Sequence, residues 1–241
     1  MTPHSVNLFN IDSIKYMHSL PDGCFDLIVT DPPYSSGGLH ATTRKQPPSR
    51  KYLGNDCRRP VHDFAHDNKD QRSWTRWCVD WLTESRRVLK PGGLVCVFID
   101  WRQLPALTDA IQMAGYLWQG VAVWDKTVGG CRPRNGGMRQ QAEFIVWASH
   151  GPLRASRTYL PGVFHGRKPT DTFHITAKPV PIMAELCQLA GQHGHVFDPF
   201  AGGGAVLKAA RQLGISATGC EIEPEIYLQA LADLELPSLA A

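Results

Sequence analysis

The chain has 241 residues, 43% of them hydrophobic, and a formal net charge of +3, which suits one α/β domain with a large core better than two domains. Its apolar runs fall short of the ~20 residues that a membrane-spanning helix needs, and residues 1–10 lack the basic start and apolar run of a secretory signal. These features exclude an integral membrane protein, and we expect a cytoplasmic protein with no membrane partner.

Short apolar runs alternate with segments of helical periodicity, a pattern that predicts an α/β fold. The predicted strands are residues 6–9, 25–30, 94–99, 121–124, 144–148, 195–197 and 217–220. The predicted helices are residues 74–89, 104–114, 181–190, 205–213 and 224–234. The first helix carries a tryptophan stripe, which we interpret as core packing, and it should end at Lys90-Pro91-Gly92-Gly93. Together the elements predict a single doubly wound α/β domain over residues 1–241, with seven strands in a mostly parallel sheet.

The strand at residues 25–30 is followed by the sequence Asp31-Pro32-Pro33-Tyr34. Proline fixes its own φ and restricts the preceding residue to extended conformations, so Asp31 and the neighbouring carbonyl groups are held rigidly at the strand end. Such a set of acceptors suits a neutral amino group, which is held through its hydrogens, and Tyr34 offers a face for a planar base. An ordinary strand-ending turn is the alternative for the Asp-Pro pair alone. We predict that Asp31, Pro32, Pro33 and Tyr34 are catalytic.

The charge is distributed unevenly along the chain. Residues 35–59 carry six basic side chains against one acid, residues 126–178 carry nine against two, and the remainder is net −9. Two basic segments on an acidic scaffold are typical of a protein that contacts phosphates through loops, although a solvated loop surface is the alternative. We predict inserted DNA-recognition loops at about 35–73, 127–140 and 149–173. The candidate DNA contacts are Arg44, Lys45, Arg50, Lys51, Arg132, Arg134 and Arg139.

The cysteines number seven and are widely spread. An odd number without regular spacing favours reduced thiols over a disulfide framework. Cys57, His62 and His66 lie near one another in the sequence, but their spacing is not that of a zinc finger. We interpret them as polar loop residues and expect no metal site.

A glycine-rich turn, Asp198-Pro199-Phe200-Ala201-Gly202-Gly203-Gly204, follows another predicted strand and leads into a helix. Glycines at such a turn let a ligand approach the backbone closely, and a helix N-terminus favours an anionic group. Glu221 ends the next strand, where nucleotide-binding α/β units place a carboxylate on the ribose hydroxyls. A dinucleotide-binding motif would have a further glycine at Leu207, so the pattern argues against a nicotinamide or flavin cofactor.

The order of these two motifs resembles that of the beta class of S-adenosylmethionine-dependent amino DNA methyltransferases, in which the Asp-Pro-Pro-Tyr motif precedes the cofactor motif. The similarity extends to residues 20–27, 87–93 and 174–179 and covers almost the whole chain. The resemblance implies a permuted, Rossmann-like class I methyltransferase fold. It also implies S-adenosylmethionine as cofactor, S-adenosylhomocysteine as product and double-stranded DNA as partner. Relatives are often dimers, which makes a homodimer a candidate assembly, and nothing identifies a partner endonuclease of a restriction-modification system.

Residue roles follow from the resemblance position by position. The turn from Asp198 to Gly204, including Pro199, Phe200, Ala201 and Gly202, would wrap the methionine part of the cofactor. Glu221 would bind the ribose hydroxyls, Asp12 the adenine amino group, and Thr176 with Lys178 the methionine carboxylate. Two positions depart from the family pattern, because Ile11 stands where glycine is usual and Gly203 where serine or threonine is common.

Aspartate in the catalytic motif favours the N6 amino group of a flipped adenine within a specific DNA sequence. Cytosine N4 methylation uses the same geometry, commonly with serine in that position, and remains an alternative, as does adenine in RNA. Methylation of a cytosine ring carbon requires a thiolate that usually follows proline, and no cysteine here follows one. A non-enzymatic DNA-binding module with a vestigial cofactor pocket would be expected to have lost Asp31, Tyr34 or the glycine turn, and all are present.

Overall fold

The computed structural model describes residues 4–35, 69–131, 133, 135–156, 158–169 and 178–237. Its strands are β1 Val6–Asn10, β2 Phe25–Thr30, β3 Leu89–Ile99, β4 Leu117–Asp125, β5 Ala142–Ser149, β6 Val163–His165, β7 His195–Asp198 and β8 Ser216–Glu221. Its helices are α1 Ser13–His18, α2 Gln71–Val88, α3 Leu104–Met113, α4 Val180–Cys187, α5 Ala205–Leu213 and α6 Pro224–Leu234.

The described strands form one sheet in the order β1-β8-β7-β2-β3-β5-β4-β6. The first five are mutually parallel, β5 runs antiparallel to both β3 and β4, and β6 is parallel to β4. All seven predicted strands are present, and the mostly parallel sheet is confirmed. The sheet nevertheless has eight strands rather than seven, because the three-residue β6 pairs with β4.

Alternate residues of the central strands point to opposite faces of the sheet, as the strand period requires. On β2, Leu27 and Val29 join a core with α4, α5 and α6, whereas Ile28 joins a second core with α1, α2 and α3. Helices therefore cover both faces, which confirms the doubly wound architecture. The tryptophan stripe of α2 lies in the second core, where Trp74 and Trp81 are fully buried.

The helix predicted at 74–89 is present as α2, and its end differs from the prediction by one residue. The helix ends at Val88, and Leu89 already pairs with Phe25 as the first residue of β3. The next matched pair is Leu27 with Leu94, so residues 90–93 form a bulge within β3 rather than a helix-stopping turn. Gly93 is required there because a Cβ atom would lie 2.9 Å from the carbonyl oxygen of Asp26.

Two predicted loop segments contain regular structure. The strand β6 lies within 149–173, and α2 begins at Gln71, inside 35–73. With one buried residue, Phe164, β6 is too short to show an alternating pattern. The six-residue helix α1 was not predicted either. None of the helices in the described ranges is long and apolar enough to cross a membrane.

Candidate active site

Four neighbouring parallel strands, β1, β8, β7 and β2, end at the same edge of the sheet. Each ends in a carboxylate or is followed by one within two residues, and in the order of the strands these are Asp12, Glu221, Asp198 and Asp31. The crevice outside the carboxyl ends of parallel strands is where doubly wound folds bind their ligands. The fold thus brings together the two motifs that the sequence separates by more than 160 residues.

The glycine turn between β7 and α5 has the backbone freedom that was predicted for it. Gly202 and Gly204 adopt left-handed conformations, with φ values of 49° and 74°. A Cβ atom at Gly204 would lie 2.9 Å from Cδ1 of Leu234, so the close packing of α6 also demands glycine. Glu221 holds the turn from the neighbouring strand, because its Oε2 accepts a hydrogen bond of 2.9 Å from the amide of Gly202.

Asp198 is buried and its carboxylate faces the protein. Its Oδ1 accepts hydrogen bonds from the hydroxyl of Thr30 at 2.7 Å and from the amide of Phe200 at 3.1 Å. Burial raises the pKa of Asp198 to about 7. Phe200 itself packs against Trp77 and Trp81 of α2, with ring centroids 5.3 Å away in both cases. Asp198 therefore organises the turn and joins it to β2.

Asp12 caps α1 through one oxygen, since its Oδ1 accepts a hydrogen bond of 2.9 Å from the amide of Lys15. The described residues donate no hydrogen bond to its other oxygen. Asp12 lies beside Glu221 because β1 pairs with β8, and Asn10 donates a hydrogen bond of 2.8 Å to the Glu221 carbonyl. Asp12 and Glu221 thus lie at or just beyond the ends of two neighbouring strands.

Side chains from α2 and from the residue before α3 hold the Asp31-Pro32-Pro33-Tyr34 segment. The indole nitrogen of Trp74 donates a hydrogen bond of 2.8 Å to the Pro33 carbonyl, and the Gln103 amide donates one of 3.1 Å to the Tyr34 carbonyl. Both Trp74 and Gln103 are buried. The described residues donate no hydrogen bond to the Pro32 carbonyl, which therefore keeps its acceptor capacity beside the Asp31 side chain.

The carboxylate of Asp31 contacts two donors. Lys178 Nζ lies 2.5 Å from its Oδ2, and the Tyr34 hydroxyl lies 2.5 Å from its Oδ1. The Lys178 ammonium also lies 5.4 Å from the centre of the Tyr34 ring. Lys178 was expected at the methionine carboxylate of the cofactor, and its contact with Asp31 was not predicted.

Glu143, at the start of β5, completes a group of four interacting side chains. Its Oε1 lies 3.0 Å from Lys178 Nζ and accepts a hydrogen bond of 2.8 Å from the Tyr34 hydroxyl, and its Oε2 accepts one of 3.1 Å from Lys126. We call Asp31, Tyr34, Glu143 and Lys178 the Asp31 cluster. Glu143 was not predicted, although an acid within an otherwise apolar strand is a sequence feature that marks it.

The charged groups of the Asp31 cluster shift one another's pKa values. Burial raises the pKa of Asp31, and the Glu143 carboxylate raises it further, against the opposing effect of Lys178. Burial also disfavours the charge on Glu143, but Lys178 and Lys126 outweigh it and lower the pKa of Glu143 to about 2. For Lys178, Asp31 and Glu143 outweigh burial and raise its pKa. Glu143 and Lys178 are consequently both ionised at neutral pH.

Several predicted residues lie outside the described part of the chain: Arg44, Lys45, Arg50, Lys51, Cys57, His62, His66, Arg132, Arg134 and Thr176. Arg139 is described and exposed, and its guanidinium donates hydrogen bonds to the carbonyls of Val128 at 2.9 Å and Cys131 at 3.0 Å, which orders the surrounding loop. The six cysteines within the described ranges are free thiols. Those ranges also contain no group of three or more potential metal-ligating side chains.

The sequence matches the model of the N6/N4 DNA methyltransferase family, described as DNA methylase, over residues 25–159 and 154–232. The type II methyltransferase M.HpaI of Haemophilus parainfluenzae is 24% identical over 240 residues, which cover 89% of this chain and 69% of the relative. The putative methylase YubD of Escherichia coli K12 is 27% identical over 212 residues, which cover 88% and 82% of the two chains.

Solved structures share the fold. The complex of M1.HpyAVI with S-adenosylmethionine superposes with a TM-score of 0.69 at 20% identity, over 96% of this chain and 100% of that one. The PvuII DNA methyltransferase, described as cytosine-N4-specific, superposes with a TM-score of 0.73 at 14% identity, over 100% of this chain and 89% of that one. At these identities the likeness concerns the fold.

Proposed function

The chain belongs to the N6/N4 family of DNA methylases, and we propose that it transfers a methyl group from S-adenosylmethionine to the N6 amino nitrogen of an adenine flipped out of duplex DNA at a specific sequence. The observation that carries this proposal is the pairing of acceptors at the end of β2. An exocyclic amino group has two hydrogens, and two acceptors follow β2 in consecutive residues: the Asp31 carboxylate and the Pro32 carbonyl, which accepts no hydrogen bond from the described residues. Trp74 and Gln103 anchor the next two carbonyls of the segment, those of Pro33 and Tyr34.

The residues at the neighbouring strand ends fit S-adenosylmethionine. The turn carries left-handed glycines without side chains, and Asp12 retains an oxygen free of donors from the described residues. Glu221 is held at the end of β8 beside that turn. We assign the turn to the methionine part, Glu221 to the ribose hydroxyls and Asp12 to the adenine amino group. When bound, S-adenosylmethionine supplies a methyl group on a sulfonium sulfur, which departs as the thioether of S-adenosylhomocysteine.

The part played by Asp31 follows from the electronic structure of the target. The lone pair of an aromatic amino group is delocalised into the ring, so the nitrogen is a weak nucleophile. Hydrogen bonds to Asp31 and to the Pro32 carbonyl localise that lone pair and align it for in-line attack. As the new N–C bond forms, the nitrogen becomes positively charged, and the Asp31 carboxylate stabilises that charge until the nitrogen loses its extra proton.

Tyr34 supplies a surface for the flipped base. Extruding a base costs a few kcal/mol, which aromatic stacking offsets in part. The Tyr34 hydroxyl is anchored by Asp31 and Glu143, so the ring has a defined orientation before the base arrives. The recognition loops at about 35–73, 127–140 and 149–173 would then contact the DNA around the site.

Cytosine N4 is the second candidate target, because the PvuII methyltransferase, which shares the fold across this whole chain, is described as cytosine-N4-specific. An aspartate at position 31 favours adenine. Both reactions use an exocyclic amino group and the same pair of acceptors, so the two differ in the base that the pocket accepts.

The test is to incubate the protein with S-adenosylmethionine labelled in its methyl group and with duplex DNA, RNA or protein substrates. Digestion of the DNA to nucleosides, followed by chromatography, separates N6-methyldeoxyadenosine from N4-methyldeoxycytidine. We expect label in N6-methyldeoxyadenosine. Label in N4-methyldeoxycytidine would overturn the choice of base, and label only in RNA or protein would overturn DNA as the substrate.

A further inference from the structure

We infer that Glu143 is a positioning residue for methyl transfer: it offers the Tyr34 hydroxyl and Lys178 a second acceptor, so that Asp31 is not their sole partner and can receive the target amino group. The inference rests on the proposed function and adds to it a residue that does not touch the substrate. It is based on the contacts of the Asp31 cluster, in which Asp31 and Glu143 share the same two donors.

Without a competing acceptor, both oxygens of Asp31 would be occupied by the protein itself. The Tyr34 hydroxyl has one hydrogen, yet it lies 2.5 Å from Asp31 Oδ1 and 2.8 Å from Glu143 Oε1. It therefore donates to one carboxylate at a time. When the hydroxyl donates to Glu143, the Tyr34 oxygen must move away from Asp31 Oδ1, because two oxygens 2.5 Å apart with no hydrogen between them repel each other, and that movement frees Oδ1.

Lys178 also contacts both carboxylates, since its ammonium lies 2.5 Å from Asp31 Oδ2 and 3.0 Å from Glu143 Oε1, and its three hydrogens let it donate to both at once. Glu143 is fixed in this position by its second oxygen, which accepts a hydrogen bond of 3.1 Å from Lys126. Because Lys126 follows β4 and Glu143 begins β5, the paired strands β4 and β5 define where this acceptor lies. Glu143 is 9% exposed, so water competes little for these contacts.

Charge balance gives Glu143 a second effect on the reaction. The cations that interact with Asp31 and Glu143 are Lys178, Lys126 and Lys168. Removal of the Glu143 carboxylate adds one unit of net positive charge beside a nitrogen that becomes positive during transfer. Since charge interactions are strong in a buried site, that imbalance opposes the developing charge.

The test compares Glu143→Gln, which has the same shape without the charge, with Glu143→Asp, which retains the charge. Asp26→Asn is the matched control. Asp26 is the second residue of β2, at the opposite edge of the sheet. When side-chain atoms alone are counted, Asp26 and Glu143 are both 12% exposed. Asp26 is likewise paired with two cations, Lys90 at 2.7 Å and Arg154 at 2.9 Å. Each variant is measured for single-turnover rate with saturating DNA and S-adenosylmethionine, and for the dissociation constants of both ligands by titration.

We expect Glu143→Gln to slow transfer by about 100-fold, with both dissociation constants changed by no more than about twofold. Glu143→Asp should recover a large part of the rate, and Asp26→Asn should retain the rate of the unsubstituted protein. A Glu143→Gln protein no slower than Asp26→Asn would overturn the inference. Equal losses of rate in Gln and Asp variants, together with loss of ligand binding, would show a purely structural role and would also overturn it.

A measurement that needs no turnover separates this inference from the proposed function. The titratable groups that interact with the Asp31 carboxyl are Lys178 and Tyr34, Glu143 from β5, Asp198 from β7 and Lys168 after β6. Because the Glu143 charge raises the pKa of Asp31, Glu143→Gln should lower that pKa in a carbon-13 NMR titration of the Asp31 carboxyl, and Asp26→Asn should leave it unchanged. An unchanged Asp31 titration in Glu143→Gln would contradict the inference, whatever substrate the protein methylates.

Discussion

The hydroxyl of Thr30 donates a hydrogen bond of 2.7 Å to the carboxylate of Asp198. Thr30 is the last residue of β2 and Asp198 the last of β7, so this bond joins the strand that carries the Asp31 motif to the strand that carries the glycine turn. The backbone pairing of β2 with β7 consists of only two residue pairs, Leu27 with Val196 and Ile28 with Phe197. The buried side-chain bond therefore holds the ends of the strands at a fixed spacing beyond the backbone ladder.

Replacing Thr30 with valine should weaken this connection. Valine has the same shape but no donor, so Asp198 would lose one of its two hydrogen bonds in a buried site, at a cost of about 1–3 kcal/mol of unfolding free energy. We expect slower single-turnover transfer as well, because the acceptors and the methyl donor would be less well aligned. Urea unfolding and rapid-quench kinetics measure the two effects.

The matched control for that variant is Thr218→Val. Thr218 is also buried, and its hydroxyl shares a hydrogen bond of 2.9 Å with His195, away from the carboxyl ends of the strands. The Thr218→Val protein should have a lower free energy of unfolding but an unchanged rate of methyl transfer. Equal rates in the two valine variants would show that the Thr30–Asp198 bond does not contribute to alignment.

Asp198 should make the stability depend on pH in a direction that is unusual for an acid. Burial raises its pKa to about 7 in the folded protein, above the value of about 3.9 for an unfolded aspartate. The folded state therefore binds the Asp198 proton more tightly than the unfolded state does. This tighter binding increases the free energy of unfolding at low pH, and the increase is lost as the pH rises from about 4 to about 7. Over that pH range the free energy of unfolding should fall by about 4 kcal/mol because of Asp198.

The variant Asp198→Asn isolates this effect. Asparagine retains an oxygen for Thr30 and the Phe200 amide but does not titrate, so the stability of Asp198→Asn relative to the unsubstituted protein should increase between pH 5 and pH 8. Urea unfolding at several pH values measures the difference. A constant difference across that range would show that Asp198 does not titrate there.

Gly204→Ala should impair both folding and cofactor binding. The residue has a φ of 74°, and its Cβ atom would lie 2.9 Å from Leu234 Cδ1, so we expect left-handed strain plus overpacking, together about 2–4 kcal/mol. Gly191→Ala separates the two causes, since Gly191 has a φ of 76° with open space around its Cβ position. Thermal unfolding should show the larger loss for Gly204→Ala, and calorimetric titration with S-adenosylmethionine should show weaker binding for that variant alone. Equal stability losses in the two variants would contradict the packing contribution.

Asp31→Ala should abolish methyl transfer, by at least about 1000-fold, while S-adenosylmethionine binding survives. The substitution removes the acceptor of the amino group and leaves the glycine turn and Glu221 intact. Asp26→Ala, at the other end of the same strand, serves as the control and should bind and transfer normally. Loss of cofactor binding together with transfer in Asp31→Ala would assign Asp31 a structural role instead.

Much of the fold could be predicted because its determinants are local. Apolar runs located seven strands, helical periodicity located five helices, and glycine and proline located the turns at Asp31 and Gly204. Local patterns did not predict structure at positions where pairing with a distant strand decides the conformation. Residues 90–93 follow the end of α2, but they form a bulge within β3 because Leu89 already pairs with Phe25. The strand β6 exists because β4 offers it a partner.

The sequence by itself determined the residues at the carboxyl ends of the parallel strands, namely Asp12, Asp31, Asp198 and Glu221, because all such ends must meet at one edge of a parallel sheet. Only the tertiary structure decided that Glu143 joins them. It lies at the beginning of a strand, and β5 places that beginning at the active edge because it runs antiparallel to β3 and β4. Strand direction is set by pairing between distant segments, and so is the approach of Lys178 to Asp31, 147 residues away in the chain.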